Sequence, residues 1–190
     1  MAGDERIRLF CALLLPDTAL DALVAWQGVA LPLGGPPPGA LRPVPRENLH
    51  VTLAFLGSRP APEVPVVVEA LRTAAASAAP VELRPIRYRE TGSVGMIVCD
   101  DLGGAGAALA ADVGERLERA GVYRREGRPW LPHVTVARFR ERPSLRPGML
   151  PEGNIRSVRC ALYRSSLGPA ASTNPGARYD VLESMALGGR

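Results

Sequence analysis

The chain contains no lysine; all 23 of its basic residues are arginine. This excludes a phosphate-binding loop, which needs a lysine to reach the phosphates. With abundant alanine, 20 glycines and 19 prolines, the arginines read as the codon habit of a genome rich in G and C. Aromatic residues make up only 5% of the chain, and core packing is the expectation for Phe10, Phe55, Tyr123 and Trp130. The three cysteines, Cys11, Cys99 and Cys160, stand inside apolar runs and never at a CxxC spacing, which predicts buried, reduced thiols. Long apolar runs are missing too. The stretch 9–15 follows Asp4 and Glu5 and precedes Pro16-Asp17, so it is no signal-peptide core, and a cytoplasmic protein without a membrane partner is expected. No HExxH, GxSxG or carboxylate cluster occurs, so metal-cage and nucleophile-elbow chemistry have no carrier.

What remains is an ordinary globular composition: 190 residues, 46% hydrophobic and 22% charged. This length predicts one domain, residues 1–190, made of two lobes too small to fold alone. The net charge of +4 is spread thinly; it is compatible with an anionic partner and does not select one. Gly103-Gly104-Ala105-Gly106 precedes a helical stretch but lacks the last glycine of a dinucleotide fingerprint, and reads as a loop.

Apolar spacing and breakers predict strands over 7–15, 49–56, 81–89, 94–99, 134–139, 155–163 and 178–187. Helices are predicted from Pro16-Asp17 to before Leu33, over 62–79, and over 107–120 with Gly121 as the stop. Loops are expected at 34–39, from Asp100-Asp101, and at 168–176. Several strands adjoin in sequence, which favours an α+β fold over a doubly wound parallel sheet.

The chain has two histidines, in His50-Val51-Thr52-Leu53-Ala54 and His133-Val134-Thr135-Val136-Ala137. A single histidine is more often structural than catalytic. Two in one five-residue pattern point to duplication or shared chemistry. On a regular strand, side chains at i, i+2 and i+4 share a face. His50, Thr52 and Ala54 are therefore expected on one side, with Val51, Leu53 and Phe55 on the other; His133, Thr135 and Ala137 repeat the pattern. If the strands face one another, two imidazoles and two hydroxyls surround one volume. With ordinary imidazole pKa values near 6.5, one ring can serve as general base while the other serves as general acid. A phosphodiester suits that set, its free oxygens held by Thr52 and Thr135.

These residues resemble the 2H phosphoesterases, and within them the RNA 2′,3′-cyclic phosphodiesterases once called 2′-5′ RNA ligases. The resemblance runs through Arg8-Leu9-Phe10, Leu15-Pro16, the stretch 48–57, the stretch 129–138, Leu162-Tyr163-Arg164-Ser165 and Tyr179. It implies a bilobal α+β fold with two pseudo-symmetric antiparallel-sheet lobes, helices outside and a central cleft. It implies no metal and no cofactor, and hydrolysis of 2′,3′-cyclic phosphates on RNA ends or nucleotides to 2′-phosphomonoesters. It further implies His50 as proton donor and His133 as proton acceptor, roles that spacing alone does not assign. Trp130 and Leu131 depart from the family pattern, which usually has Phe at the first position and often a polar or basic residue at the second.

Arg138 is the obvious guanidinium for a phosphate, yet strict alternation sets it opposite His133 unless the strand bulges. Tyr163 and Arg164 are left outside the core site. A monomer is expected. The alternatives are 2′-5′ RNA ligase or 2′-5′ phosphodiesterase activity, and a non-catalytic RNA- or nucleotide-binding module.

Overall fold

The computed structural model describes residues 5–32, 41–125, 127–167 and 177–188. The expected loops at 34–39 and 168–176 lie outside them. The elements run β1 (Arg6–Leu13), α1 (Asp17–Ala30), β2 (Leu41–Pro43), β3 (Val51–Pro60), α2 (Val64–Ser77), β4 (Val81–Glu90), β5 (Val94–Leu102), α3 (Ala105–Arg119), β6 (His133–Phe139), β7 (Ile155–Ser157), β8 (Arg159–Leu167) and β9 (Ala177–Ala186). A single turn of 3-10 helix, Arg46–Asn48, precedes β3.

The strand order is β7-β4-β5-β6-β3-β1-β8-β9, with β2 beside β6, and neighbouring strands are antiparallel. This is the α+β architecture expected. One half of the sheet is β6-β5-β4-β7 and the other β3-β1-β8-β9. They join at one pair, Val51 opposite Val134, and each motif strand borders the seam.

Local chemistry explains the boundaries that shifted. The expected loop at Asp100-Asp101 is strand, in which Asp101, next to last in β5, also serves α3. Its carboxylate accepts from the Gly106 and Ala107 N–H groups at 3.1 and 2.7 Å, and Gly103 and Gly104 make the tight turn at φ 81° and 76°, a conformation open to glycine. At the other end Gly121 adopts φ 73°, with its N–H on the Glu118 carbonyl and that of Val122 on Leu117, at 3.0 and 3.1 Å. This closes α3 where its glycine predicts. The single strand expected over 155–163 breaks at Val158. β7 pairs with β4, whereas β8 pairs with β1, so one apolar run serves both halves of the sheet. The buried Ser157 hydroxyl stabilises the crossing by donating to the Leu14 carbonyl at 2.7 Å. No glycine or proline marks this break, and β2 is too short to show a period.

All three helices pack on one face of the sheet, over a core that spans both halves and includes Leu9, Leu13, Val51, Leu71, Leu83, Ile97, Val113, Val134 and Leu162. Cys11, Cys99 and Cys160 are free and buried; burial pushes the Cys160 thiol up to about 11, so it stays protonated. Among the described residues no helix is long and apolar enough to cross a membrane. The opposite face of the sheet carries the histidines.

Candidate active site

The antiparallel pair at Val51 and Val134 sends these two side chains into the core. Flanking residues of both strands, His50, Thr52, His133 and Thr135, are half-buried and lie on the opposite face. The structure therefore brings together the four residues singled out from the repeated motif.

Beyond the threonines the alternation fails, in the same way twice. On β3 the partners Cys11–Ala54 and Ala12–Thr52 skip Leu53. On β6 the partners Gly95–Ala137 and Met96–Thr135 skip Val136. Each strand thus holds an extra residue, a β-bulge, which reverses the side-chain parity that follows. Ala54 and Ala137 consequently belong to the core, not beside the histidines as strict alternation requires. The residues after them move the other way. Phe55 pairs with Phe10 and is 44% exposed, under the Arg8 guanidinium at 4.8 Å, so it is not a core residue. Arg138 pairs with Val94, which shares its face with Met96 and hence with Thr135; it stands on the histidine face after all.

Both imidazoles are anchored alike. The Nδ1 atom of His50 lies 2.8 Å from the Asn48 carbonyl oxygen, and that of His133 lies 2.8 Å from the Leu131 carbonyl oxygen. A carbonyl can only accept, so Nδ1 carries the proton and donates in both rings. Nε2 is left as the atom that exchanges protons on each ring.

Their surroundings differ. The His50 ring lies 4.8 Å from Phe10, 5.4 Å from Tyr179 and 6.0 Å from Tyr163. Phe10 stacks on Tyr163 at 4.9 Å and meets Tyr179 edge-on at 5.0 Å. Phe10 is buried as expected, but in this small cluster with Ala12, Ala161 and Tyr163 rather than in the main core. Tyr123 and Trp130 do pack on the main core. Burial among these rings holds the His50 imidazole down at about 4; the Asn48 carbonyl opposes the shift, while the charges of His133 and Arg138 add to it. The Arg138 guanidinium donates to the Tyr179 hydroxyl at 3.3 Å, which carries it toward His50. Tyr163, left aside at the level of sequence, thus belongs to the site. Arg164 opposes Leu9 on the other face and pairs with Asp180 at 3.1 Å. The traces of the bulges in the sequence are two successive apolar residues, Leu53-Ala54 and Val136-Ala137, where alternation calls for one. Among the described residues no three His, Cys, Asp or Glu side chains gather into a metal-sized group.

An antiparallel α+β sheet with paired, identically anchored histidines on adjoining strands defines a paired-histidine enzyme fold. The chain belongs to the 2′-5′ RNA ligase superfamily, whose sequence profile matches residues 19–151. It is 35% identical over 197 aligned positions, covering 96% of this chain and 91% of its relative, to the RNA 2′,3′-cyclic phosphodiesterase of Thermus thermophilus. The fold is similar to the crystal structure of TT0787 from Thermus thermophilus, with TM-score 0.78, 30% identity, and 96% and 99% of the two chains covered. It is also similar to Escherichia coli LigT complexed with NADP+, with TM-score 0.74, 25% identity, and 97% and 99% covered.

Proposed function

We propose that this protein hydrolyses 2′,3′-cyclic phosphates on RNA ends or nucleotides to 2′-phosphomonoesters, with its two imidazoles as acid and base and no metal. The observation that carries this reading is the shared orientation of the histidines: each Nδ1 is committed to a carbonyl two residues back, leaving two Nε2 atoms for proton transfer on one face. The likeness to a relative named RNA 2′,3′-cyclic phosphodiesterase supports the substrate class, and the NADP+ bound by LigT supports a nucleotide partner.

The cyclic phosphate sits between the histidines, its non-bridging oxygens held by the Thr52 and Thr135 hydroxyls and by Arg138. His133 Nε2 takes a proton from water as the water oxygen attacks phosphorus. The bond from phosphorus to the ribose 3′ oxygen breaks, and that oxygen takes the proton from His50 Nε2. In-line displacement requires base and acid on opposite sides of phosphorus, an arrangement served by one histidine from each motif strand. The product is a 2′-phosphate.

In the free protein His50 is neutral at working pH, since burial holds it near 4. It becomes a donor only when the anionic phosphate settles beside it and favours the charged ring. Replacing water with a ribose 5′-hydroxyl turns the same steps into 2′-5′ ligation. Incubating the protein with 2′,3′-cyclic mononucleotides, cyclic-ended oligonucleotides and 2′-5′-linked oligonucleotides, and reading products by phosphorus NMR, tests the reading. A 2′-monophosphate is expected. A predominant 3′-phosphate means the donor and acceptor are reversed, and no turnover of any cyclic phosphate leaves a binding module.

A further inference from the structure

Gln27 is one of two buried polar residues among the described residues, at 4% exposure. It lies on α1, far in sequence from either motif, and both its contacts are with backbone carbonyls. Its Nε2 donates to the Val44 oxygen at 2.9 Å and to the Val136 oxygen at 2.7 Å; since carbonyls only accept, the amide nitrogen must face them. The Val136 oxygen also receives the Val44 N–H at 3.0 Å.

Val136 is the extra residue of the β6 bulge. It also lies where β6 passes from β3, which it meets at Val134, to β2, which it meets from Ala137 to Phe139. Val44, just past β2, carries the pairing one bond further, and a side chain from α1 adds a second donor to the same carbonyl. The helix is fixed in turn. Asp17 and Asp21 bind Arg46, in the turn before His50, at 2.7 and 3.0 Å. The Trp26 indole donates to the Met149 carbonyl at 2.7 Å.

We propose that Gln27 is a positioning residue for the phosphate site: by holding the bulged Val136 carbonyl it fixes the reversal of parity that sets Arg138 on the histidine face. The proposal rests on the reading of that face as a phosphate site, and Gln27 acts through Arg138 without touching substrate. Without the amide, the bulge carbonyl keeps one donor of two, and the register two residues before Arg138 is free to relax. Buried polar groups that lose partners are costly, so a fall in stability alone does not test the idea.

The test is a double-mutant cycle with Gln27→Met, Arg138→Ala and the double variant, read by cyclic-nucleotide kinetics, inorganic phosphate affinity and thermal midpoint. Gln27→Met is expected to lower kcat/KM roughly 10- to 100-fold in the parent, as small misplacements of a binding group do, and to lower it hardly at all once Arg138 is alanine. Phosphate affinity should show the same non-additivity, while the loss of thermal stability persists in both backgrounds. Equal losses of activity and affinity in both backgrounds, or a folded Gln27→Met protein with parental activity and phosphate affinity, overturn the proposal. If Gln27→Met does not fold, Gln27→Asn, which keeps the amide but draws it back by one methylene, is put through the same cycle, where the same results support or overturn the role. Should cyclic nucleotides prove not to be substrates, the phosphate arm still decides the role of Gln27, so the two failures are distinct.

Discussion

The two halves of the sheet carry the same histidine motif, the same bulge one residue past the threonine and the same Nδ1 anchor. They differ in what surrounds the ring. His50 sits among Phe10, Tyr163 and Tyr179, all within 6.0 Å, whereas no ring contact joins His133 among the described residues. The residue turned outward by the bulge also differs: Phe55 in one half, Arg138 in the other. A duplicated pattern therefore supplies two equivalent proton-exchanging nitrogens, and the neighbours assign them different work. Apolar rings favour the neutral imidazole at His50, and the guanidinium that the other half turns outward reaches across to Tyr179 of the same cage.

Removing either imidazole should have the largest effect. His50→Ala and His133→Ala are each expected to cost roughly 10²–10⁴-fold in kcat while leaving folded protein, because both rings lie on the face away from the core. A variant retaining more than about a tenth of parental activity would remove that histidine from the chemical step. The two losses should also differ in kind, each variant missing a different limb of the pH–rate profile.

Next in size is Arg138→Ala, expected to lower kcat/KM roughly 10- to 10³-fold, the range for one donor to a charged oxygen. Arg138→Lys should rescue little, since a point charge does not replace a planar fork. Activity unaffected by either substitution would return Arg138 to a structural role.

Opening the aromatic cage by Tyr163→Leu should act on His50 alone. The imidazole is expected to titrate higher than in the parent, with activity changed only a few-fold. An unmoved His50 with a shifted His133 would contradict the division between the halves. The cage also links to stability: the folded His50 titrates near 4 against about 6.5 for a free imidazole. The unfolded chain then binds a proton that the folded protein refuses. The stability this contributes is present above about pH 6.5 and is lost as pH falls toward 4. His50→Phe should flatten that fall in urea-unfolding measurements, and an unchanged slope would mean other groups cause it.

The smallest effect expected is that of chelation, which should be none. Loss of activity in EDTA with recovery on adding a divalent ion would replace the two-imidazole mechanism with a metal-assisted one.

Most of this architecture is legible in the sequence because it rests on local periodicity. The α+β class, the helices ending at Gly121 and near Ala79, the paired motif, and the face shared by His50 with Thr52 and by His133 with Thr135 follow from spacing alone; that the two pairs meet depends on the pairing of Val51 with Val134. The parity of Ala54, Phe55, Ala137 and Arg138 does not follow from spacing, because counting by twos assumes an unbroken ladder. The paired apolar residues Leu53-Ala54 and Val136-Ala137 are the trace of each bulge in the sequence, but only the register of the partner strand shows that a residue is skipped. The break at Val158 is hidden for a related reason: the run around it is apolar throughout, and only the pairing of β7 with β4 and of β8 with β1 separates the pieces. The cage around His50 draws on β1, β8 and β9, and Gln27 reaches β6 from α1. Such long-range contacts leave no local pattern.

The proposed mechanism turns on His50, held neutral in the free protein by burial, becoming the proton donor once phosphate is bound. NMR titration of both imidazoles, assigned with the His50→Ala and His133→Ala variants and repeated with saturating 2′-nucleoside monophosphate, follows that change at the ring itself. His50 is expected to titrate near 4 in the free protein and to rise by more than about one pH unit in the complex, as a nearby negative charge requires. A His50 that stays near 4 with the ligand bound would be unable to donate, and the acid would have to be His133.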